Sequence, residues 1–301
     1  MIKWLRRFSI VALAVAAVIF AAAQAVDFMG RDETWPEISC ESELLEIACA
    51  YTQEELLAGV TAVDAKDGDL TDQILVSGFS RFLTPGECEL SYVVFDSSEH
   101  MATLTRRVRF TDYRSPRFAL AEPLCFAEGM TNNTEVRALF SASDMLDGDL
   151  TDWITYVETN AAYNNPGDYT ITMEVRNSFG DTVSYDFPIH IYERNTQNVE
   201  IALTTPLVYV TQGEEFDPED YVRTIYDAAG EEYSADLLEI TSGVDTSTPG
   251  LYEVHYELRQ GTDSGEGDSD AETEEDPSTS SADGGLYGQT WLTVIVQEDL
   301  S

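Results

Sequence analysis

The sequence predicts an all-β protein: three tandem β-sandwich domains behind one apolar N-terminal segment. Three observations carry that expectation. The stretch Asp64-Ala65-Lys66-Asp67-Gly68-Asp69-Leu70-Thr71-Asp72 returns 80 residues later as Asp144-Met145-Leu146-Asp147-Gly148-Asp149-Leu150-Thr151-Asp152, and recurrence at a fixed spacing marks a structural repeat. The pairs Pro85-Gly86, Pro166-Gly167 and Pro249-Gly250 each precede a run of alternating apolar residues, the period of a half-buried strand. Turn-forming residues separate such runs at regular intervals, as in a β-sandwich.

The 301 residues are 43% hydrophobic, which is ordinary for folded domains. With 56 acidic and 16 basic residues the net charge is -40. Such a chain repels nucleic acid and attracts cations, and the charge suits solubility outside a cell. Catalysis would require a nucleophile with its base, or a metal with a histidine-containing shell. His100, His190 and His255 are scattered and offer neither, so the expectation is a non-catalytic protein.

Residues 1–27 read as a membrane anchor or a signal peptide. Lys3, Arg6 and Arg7 precede an apolar run over residues 8–26 that only Ser9 and Gln24 interrupt. That length reaches the lower range of a membrane span, about 17–25 residues. The basic flank belongs on the cytoplasmic side, which exports the remainder. Ala21-Ala22-Ala23 and Ala23-Gln24-Ala25 also fit a signal cleavage site, although signal cores are usually shorter, about 7–15 residues. Both readings predict an extracytoplasmic chain, either held at a membrane through residues 8–26 or secreted.

Cys40, Cys49, Cys88 and Cys125 fall in the exported part, where disulfides form. Four cysteines allow three connectivities. Leu45, Ile47 and Cys49 share one strand face, and Cys88, Leu90, Tyr92 and Val94 share another. Cys49–Cys88 is therefore the favoured pair. The competing reading is four thiols packed as small hydrophobes.

The first unit spans residues 36–112. Residues 37–40, 44–49 and 59–63 read as strands, and 53–57 as a helical turn or an extended crossing. Residues 74–77 leave the acidic loop, 88–95 alternate most clearly, Asp96-Ser97-Ser98-Glu99 turns, and 102–110 return. The second unit, 116–192, repeats this plan. Pro116 answers Pro36, Tyr169 answers Cys88, and Asn177-Ser178-Phe179-Gly180 is the hairpin turn. The third, 199–297, aligns Tyr252, Val254, Tyr256 and Leu258 with the earlier inward faces. Its last hairpin turn is replaced by residues 261–285, which contain nine acidic residues and no basic ones. That composition predicts a disordered loop. Residues 286–296 then supply the final strand, and loop closure grows only slowly costlier with length.

The run from Val63-Asp64 to Asp72, the Pro-Gly turn, the alternating Tyr/Val strand, Asp96 and the return through Arg107-Val108 resemble bacterial immunoglobulin-like domains. The similarity is to the Ig-like modules first described in a pesticidal crystal toxin, and it covers residues 36–112 and 116–192. The third unit resembles a sister group of bacterial Ig-like domains through Gly213-Glu214-Glu215-Phe216-Asp217 and Thr248-Pro249-Gly250. It carries Asp227-Ala228-Ala229-Gly230 where the others have the acidic loop. The resemblance implies tandem Ig-like sandwiches of a surface or secreted bacterial protein. It does not name a function, because such sandwiches host many.

Candidate site residues are the carboxylates Asp64, Asp67, Asp69 and Asp72, and Asp144, Asp147, Asp149 and Asp152. Calcium takes six to eight oxygen ligands, and a glycine between acidic residues permits a sharp turn. The spacing is not that of an EF-hand. The alternative is a turn in which aspartates cap backbone N–H groups. Arg114 and Arg117 in the linker are positioned to pair with the second acidic loop, or Asp112 to join a junctional calcium ion; either device predicts a semi-rigid rod. Trp153, Tyr156 and Tyr163 are stacking candidates for a cell-wall glycan, against packing within the fold. The leading expectation is a structural, spacer or adhesion protein at the cell surface, with another surface protein or a cell-wall polysaccharide as partner.

Replacing residues 261–285 by Asn-Gly, a pair that favours tight hairpins, is expected to keep or raise the melting temperature. Loss of the folded state would show that the segment packs against its domain.

Overall fold

The computed structural model describes residues 2–30, 34–260 and 285–298. The acidic insert lies outside them, apart from Gly285. A helix, α1 (Ile2–Gly30), comes first. Its described apolar side chains, among them Leu13, Val18 and Phe20, are exposed. Among the described residues no helix is long and apolar enough to cross a membrane. Contacts divide the chain into two compact units, Met1–Tyr113 and Arg114–Ser301.

In the first unit the strands are β1 (Glu37–Cys40), β2 (Leu44–Ile47), β3 (Val60–Asp64), β4 (Gly68–Asp69), β5 (Leu75–Phe79), β6 (Glu87–Phe95) and β7 (Met101–Phe110). They form two sheets, β1-β3-β4 and β2-β7-β6-β5. Neighbours are antiparallel except β2, which runs parallel to β7. The ambiguous residues 53–57 are a short helix, α2 (Gln53–Leu57). Thr52 and Glu55 close a capping box at its start, which satisfies two otherwise orphaned amides. Leu56 is buried under it, and Tyr92 Oη donates to the Leu56 carbonyl at 2.6 Å. The alternation of β6 is borne out: Cys88, Leu90, Tyr92 and Val94 are wholly buried.

The favoured Cys49–Cys88 bond is not formed. The four cysteines stand as thiols, and Cys88 is packed among apolar side chains as a small hydrophobe. Burial, with Glu89 nearby, pushes its pKa up to about 12. Inward direction was legible from alternation; proximity of two sulfurs was not.

The second unit holds two further sets of strands. The first comprises β8 (Arg117–Leu120), β9 (Cys125–Ala127), β10 (Phe140–Asp144), β11 (Gly148–Asp149), β12 (Thr155–Thr159), β13 (Gly167–Arg176) and β14 (Thr182–Tyr192), with α3 (Asn133–Ala138) between β9 and β10. The second comprises β15 (Val199–Leu203), β16 (Leu207–Thr211), β17 (Val222–Asp227), β18 (Glu232–Tyr233), β19 (Leu238–Ser242), β20 (Gly250–Gln260) and β21 (Leu286–Gln297). Their sheets are β8-β10-β11 with β9-β14-β13-β12, and β15-β17-β18 with β16-β21-β20-β19. All three sets thus share one strand order. β20 pairs with β21 through Gln260 and Leu286, so the acidic insert joins two adjacent strands, as its position predicts. Gly288 permits the crossing of β15 over β21, because a Cβ there would collide with the Val199 carbonyl.

The second and third sandwiches are not simply strung in a row. Leu292, Val294 and Val296 of β21 lie in the core of the third sandwich. Ile295, on the opposite face, lies with Leu207 in the core cluster of the second, beside Phe118, Phe187 and Ile189. Residues 292–296 are therefore buried on both faces. Tyr209 Oη accepts the Phe118 backbone N–H at 2.7 Å and extends the same boundary. A rod of separable modules needs polar outer faces; the Val294-Ile295-Val296 run of this final strand is buried on both.

Ile295→Ala is expected to destabilise residues 114–301 by about 2–5 kcal/mol, the usual cost of emptying a packed aliphatic site. Denaturant unfolding measures it. A loss below about 1 kcal/mol would show that the two cores do not pack as one.

Candidate functional site

The two acidic loops have one geometry. Asp64 ends β3, and its Oδ1 accepts the backbone N–H groups of Lys66 at 2.7 Å and Asp67 at 2.9 Å. Asp67 reaches across to the β6–β7 turn, accepting from Ser97 N at 2.7 Å and Ser97 Oγ at 2.9 Å. Asp69 accepts from Thr71 N at 2.9 Å. In the second loop Asp144 accepts from Leu146 N and Asp147 N, both at 2.7 Å, and from Asn177 Nδ2 at 2.8 Å. Asp147 accepts from Ser178 N and Ser178 Oγ, both at 2.7 Å. Asp149 accepts from Thr151 N at 2.9 Å. Gly68 and Gly148 sit at φ +80° and +75°, a conformation that L side chains rarely adopt.

Each loop is therefore a clamp that fastens the end of one sheet to the final hairpin of the other. That hairpin is ordered from its own side. Asp96 accepts from Ser98 N and His100 N at 2.8 Å each and faces His100 Nδ1 at 2.7 Å. Asn177 accepts from Asp181 N at 2.9 Å. Asp69 and Asp149 have pKa values below the usual carboxylate range, because the Thr71 and Thr151 hydroxyls, then their amides, stabilise the anions.

Six of the eight candidate carboxylates accept N–H or O–H donors from the loop or hairpin. Asp72 and Asp152 lie outside that set, in the 3-10 turns Thr71–Gln73 and Thr151–Trp153. Among the described residues no group of three or more His, Cys, Asp or Glu side chains is arranged to hold a metal ion. Among the described residues of the third sandwich, Asp227 accepts from its own turn and from β18: Ala229 N and Glu231 N at 2.9 Å, and Tyr233 Oη at 3.2 Å.

Asp112 accepts the Cys49 backbone N–H at 2.7 Å, which holds its pKa down. Arg117 turns away from the acidic loop; its Nη2 donates to Gln297 Oε1 at 2.6 Å and its guanidinium lies 4.7 Å from the Tyr209 ring centre. Trp153, Tyr156 and Tyr163 do not make one stacking platform. Trp153 is 51% exposed, whereas Tyr156 packs on the second core under Arg137, and Tyr163 packs on the same core.

Sequence reasoning missed a polar and aromatic cluster where the second and third sandwiches meet. His190 Nδ1 lies 2.8 Å from Asp168 Oδ1, and Nε2 lies 2.9 Å from Glu253 Oε1. The imidazole stacks on Trp291 with ring centres 3.9 Å apart and planes 9° apart. His255 stacks on Trp291 as well, at 4.4 Å. The only available signal was parity: in β14, His190 falls on the face opposite Phe187, Ile189 and Ile191.

No family model matches the chain. The pesticidal crystal protein Cry22Aa of Bacillus thuringiensis is 27% identical over 203 residues, 65% of this chain and 27% of that protein. The chain thus spans about a quarter of that relative's length. Among solved structures, CBM51-2 in complex with GlcNAc and INT domains from Clostridium perfringens ZmpB matches with a TM-score of 0.21 and 13% identity, over 55% of this chain and 30% of that one. The protocadherin gammaB4 extracellular domain matches with a TM-score of 0.21 and 11% identity, over 89% of this chain and 52% of that one. Likeness at this level carries no argument about function.

Asp144→Ala is expected to cost about 1–3 kcal/mol by stranding the donors that the carboxylate satisfies, read by thermal unfolding. Calcium, magnesium and sodium chloride at matched ionic strength should give the same small shift by screening the charge. A calcium-selective rise abolished by combining Asp67→Asn, Asp69→Asn, Asp147→Asn and Asp149→Asn would establish a metal site.

Proposed function

We propose that the protein is a non-catalytic, extracytoplasmic structural module of tandem Ig-like sandwiches, serving as a spacer or adhesion element at a bacterial cell surface. The observation that carries this reading is the doubly buried β21, whose Ile295 enters the second core while Val294 and Val296 fill the third. A shared core fixes the angle between two modules, which is what a spacer requires and what a flexible linker would not supply. The clamps add to it, since the acidic motifs are spent on holding sheets and hairpins together. The net charge of -40 favours a solvated location outside the cell, and the basic flank and apolar run at residues 3–26 fit export.

The half-exposed Trp153 favours one second reading, a stacking contact to cell-wall polysaccharide. Expression of the full chain in a bacterial host, with protease shaving of intact cells and a glycan array on purified protein, separates the readings. The expected outcome is surface-accessible protein that neither turns over hydrolase substrates nor retains glycans. Glycan retention lost in Trp153→Ala would install the second reading. Retention of the chain in the cytoplasm would overturn both.

A further inference from the structure

His190 sits on β14 of the second sandwich and is itself nearly buried. It is approached from every side. Asp168 comes from β13 and Cys125 from β9, where it is the register partner of His190. Glu253 and His255 come from β20, and Trp291 from β21 of the third sandwich. Cys125 is held as a neutral thiol, its pKa pushed up to about 12 by burial and by Glu253.

The decisive geometry is that both ring nitrogens face carboxylate oxygens, at 2.8 and 2.9 Å. Ionised carboxylates only accept hydrogen bonds, and a neutral imidazole carries a single N–H. Both contacts are satisfied together only by an imidazolium that donates to Asp168 and Glu253 at once. Parallel stacking on Trp291 places that cation over an indole face, the arrangement that favours it most among aromatic partners. Asp168 belongs to the same sandwich as His190, but Glu253 and Trp291 belong to the next one. The proton on His190 thus completes a contact between sandwiches.

We propose that His190 is a protonation latch: as an imidazolium it ties β13 and β14 of the second sandwich to Glu253 and Trp291 of the third, and its deprotonation loosens that junction. Loss of the proton turns one nitrogen lone pair toward a carboxylate. The contact at Glu253, whose side chain is only 24% exposed, then has little water with which to replace it. The apolar boundary at Ile295 and Leu207 persists, so the junction loosens at the His190 end.

The sign follows from the surroundings. Burial works against the charge, and Glu253 and Asp168 together outweigh it, so the His190 pKa lies above the usual histidine value. The latch is complete below the ordinary value of about 6.5 and is lost as pH climbs through the raised one. The ratio of closed to open junction should fall tenfold for each unit that separates the two values.

The test uses the full chain. Imidazole 15N shifts of the three histidines, assigned with His190→Gln, give the His190 titration directly. Hydrogen exchange, corrected for intrinsic rates, gives the protection of β14 and β21 amides relative to β6. The expected result is a His190 midpoint above about 6.5, with β14 and β21 protection falling across that midpoint while β6 protection holds. In His190→Gln that pH dependence disappears. If His190→Gln does not fold, Asp168→Asn, on an exposed carboxylate, should lower the midpoint and move the protection curve with it. A His190 midpoint at or below the ordinary value overturns the proposal. So does a fall in protection that is unchanged in the substituted chains.

Discussion

Strand β21 has no solvent-facing side over residues 292–296, and the second compact unit depends on that constraint. A strand in an antiparallel sandwich ordinarily shows one face to its core and one to water. In β21 the even positions fill the third core and Ile295 enters the second. Burial of apolar area is the dominant favourable term in folding, so the outer face, left apolar, must find a cover. The second sandwich supplies it with Phe118, Phe187 and Ile189. Two modules that could have been independent therefore share one boundary, and every group along it is placed by that docking: Tyr209 on the Phe118 amide, Arg117 on Gln297, and His190 between Asp168 and Glu253.

A second constraint acts at the ends of the sheets. The chain between β3 and β5, and again between β10 and β12, leaves the sheet with backbone amides to satisfy. Asp64 and Asp144 accept those amides, while Asp67 and Asp147 accept from the opposing hairpin. The acidic character of these loops is thus a hydrogen-bonding requirement, since a carboxylate can accept several donors at once. The third sandwich supports the pairing of the two parts. Where the tight hairpin turn gives way to residues 261–285, the matching loop is Asp227-Ala228-Ala229-Gly230, and Asp227 bonds locally.

Much of the fold was legible because strand periodicity is local. The alternation in residues 88–94 and 254–258 places the same residues in the core that the structure buries, and counting from the Pro-Gly turns finds the β20–β21 pair across the insert. The helical turn at residues 53–57 stayed ambiguous because it is too short for a period and is defined by its capping box. The site was less legible. The acidic motifs were conspicuous, but whether a carboxylate meets a metal or an amide depends on the hairpin that folds against it, about 30 residues away in sequence for Asp67 and Ser97. Cys49 and Cys88 both point inward, yet inward direction does not bring two sulfurs together.

The sequence by itself determined the all-β class, the three strand sets, the turns and the inward faces, since these follow from hydrophobic period and from residues whose backbone preferences are their own. Tertiary structure alone decided what the outward faces meet. Arg117 was expected beside carboxylates and lies on Tyr209 because the third sandwich swings onto the second. His190 has no motif around it, and its carboxylate partners lie 22 residues before it and 63 after it. Contacts of that separation arise from the packing of whole sheets. A single strand's pattern records which side is buried, not what buries it.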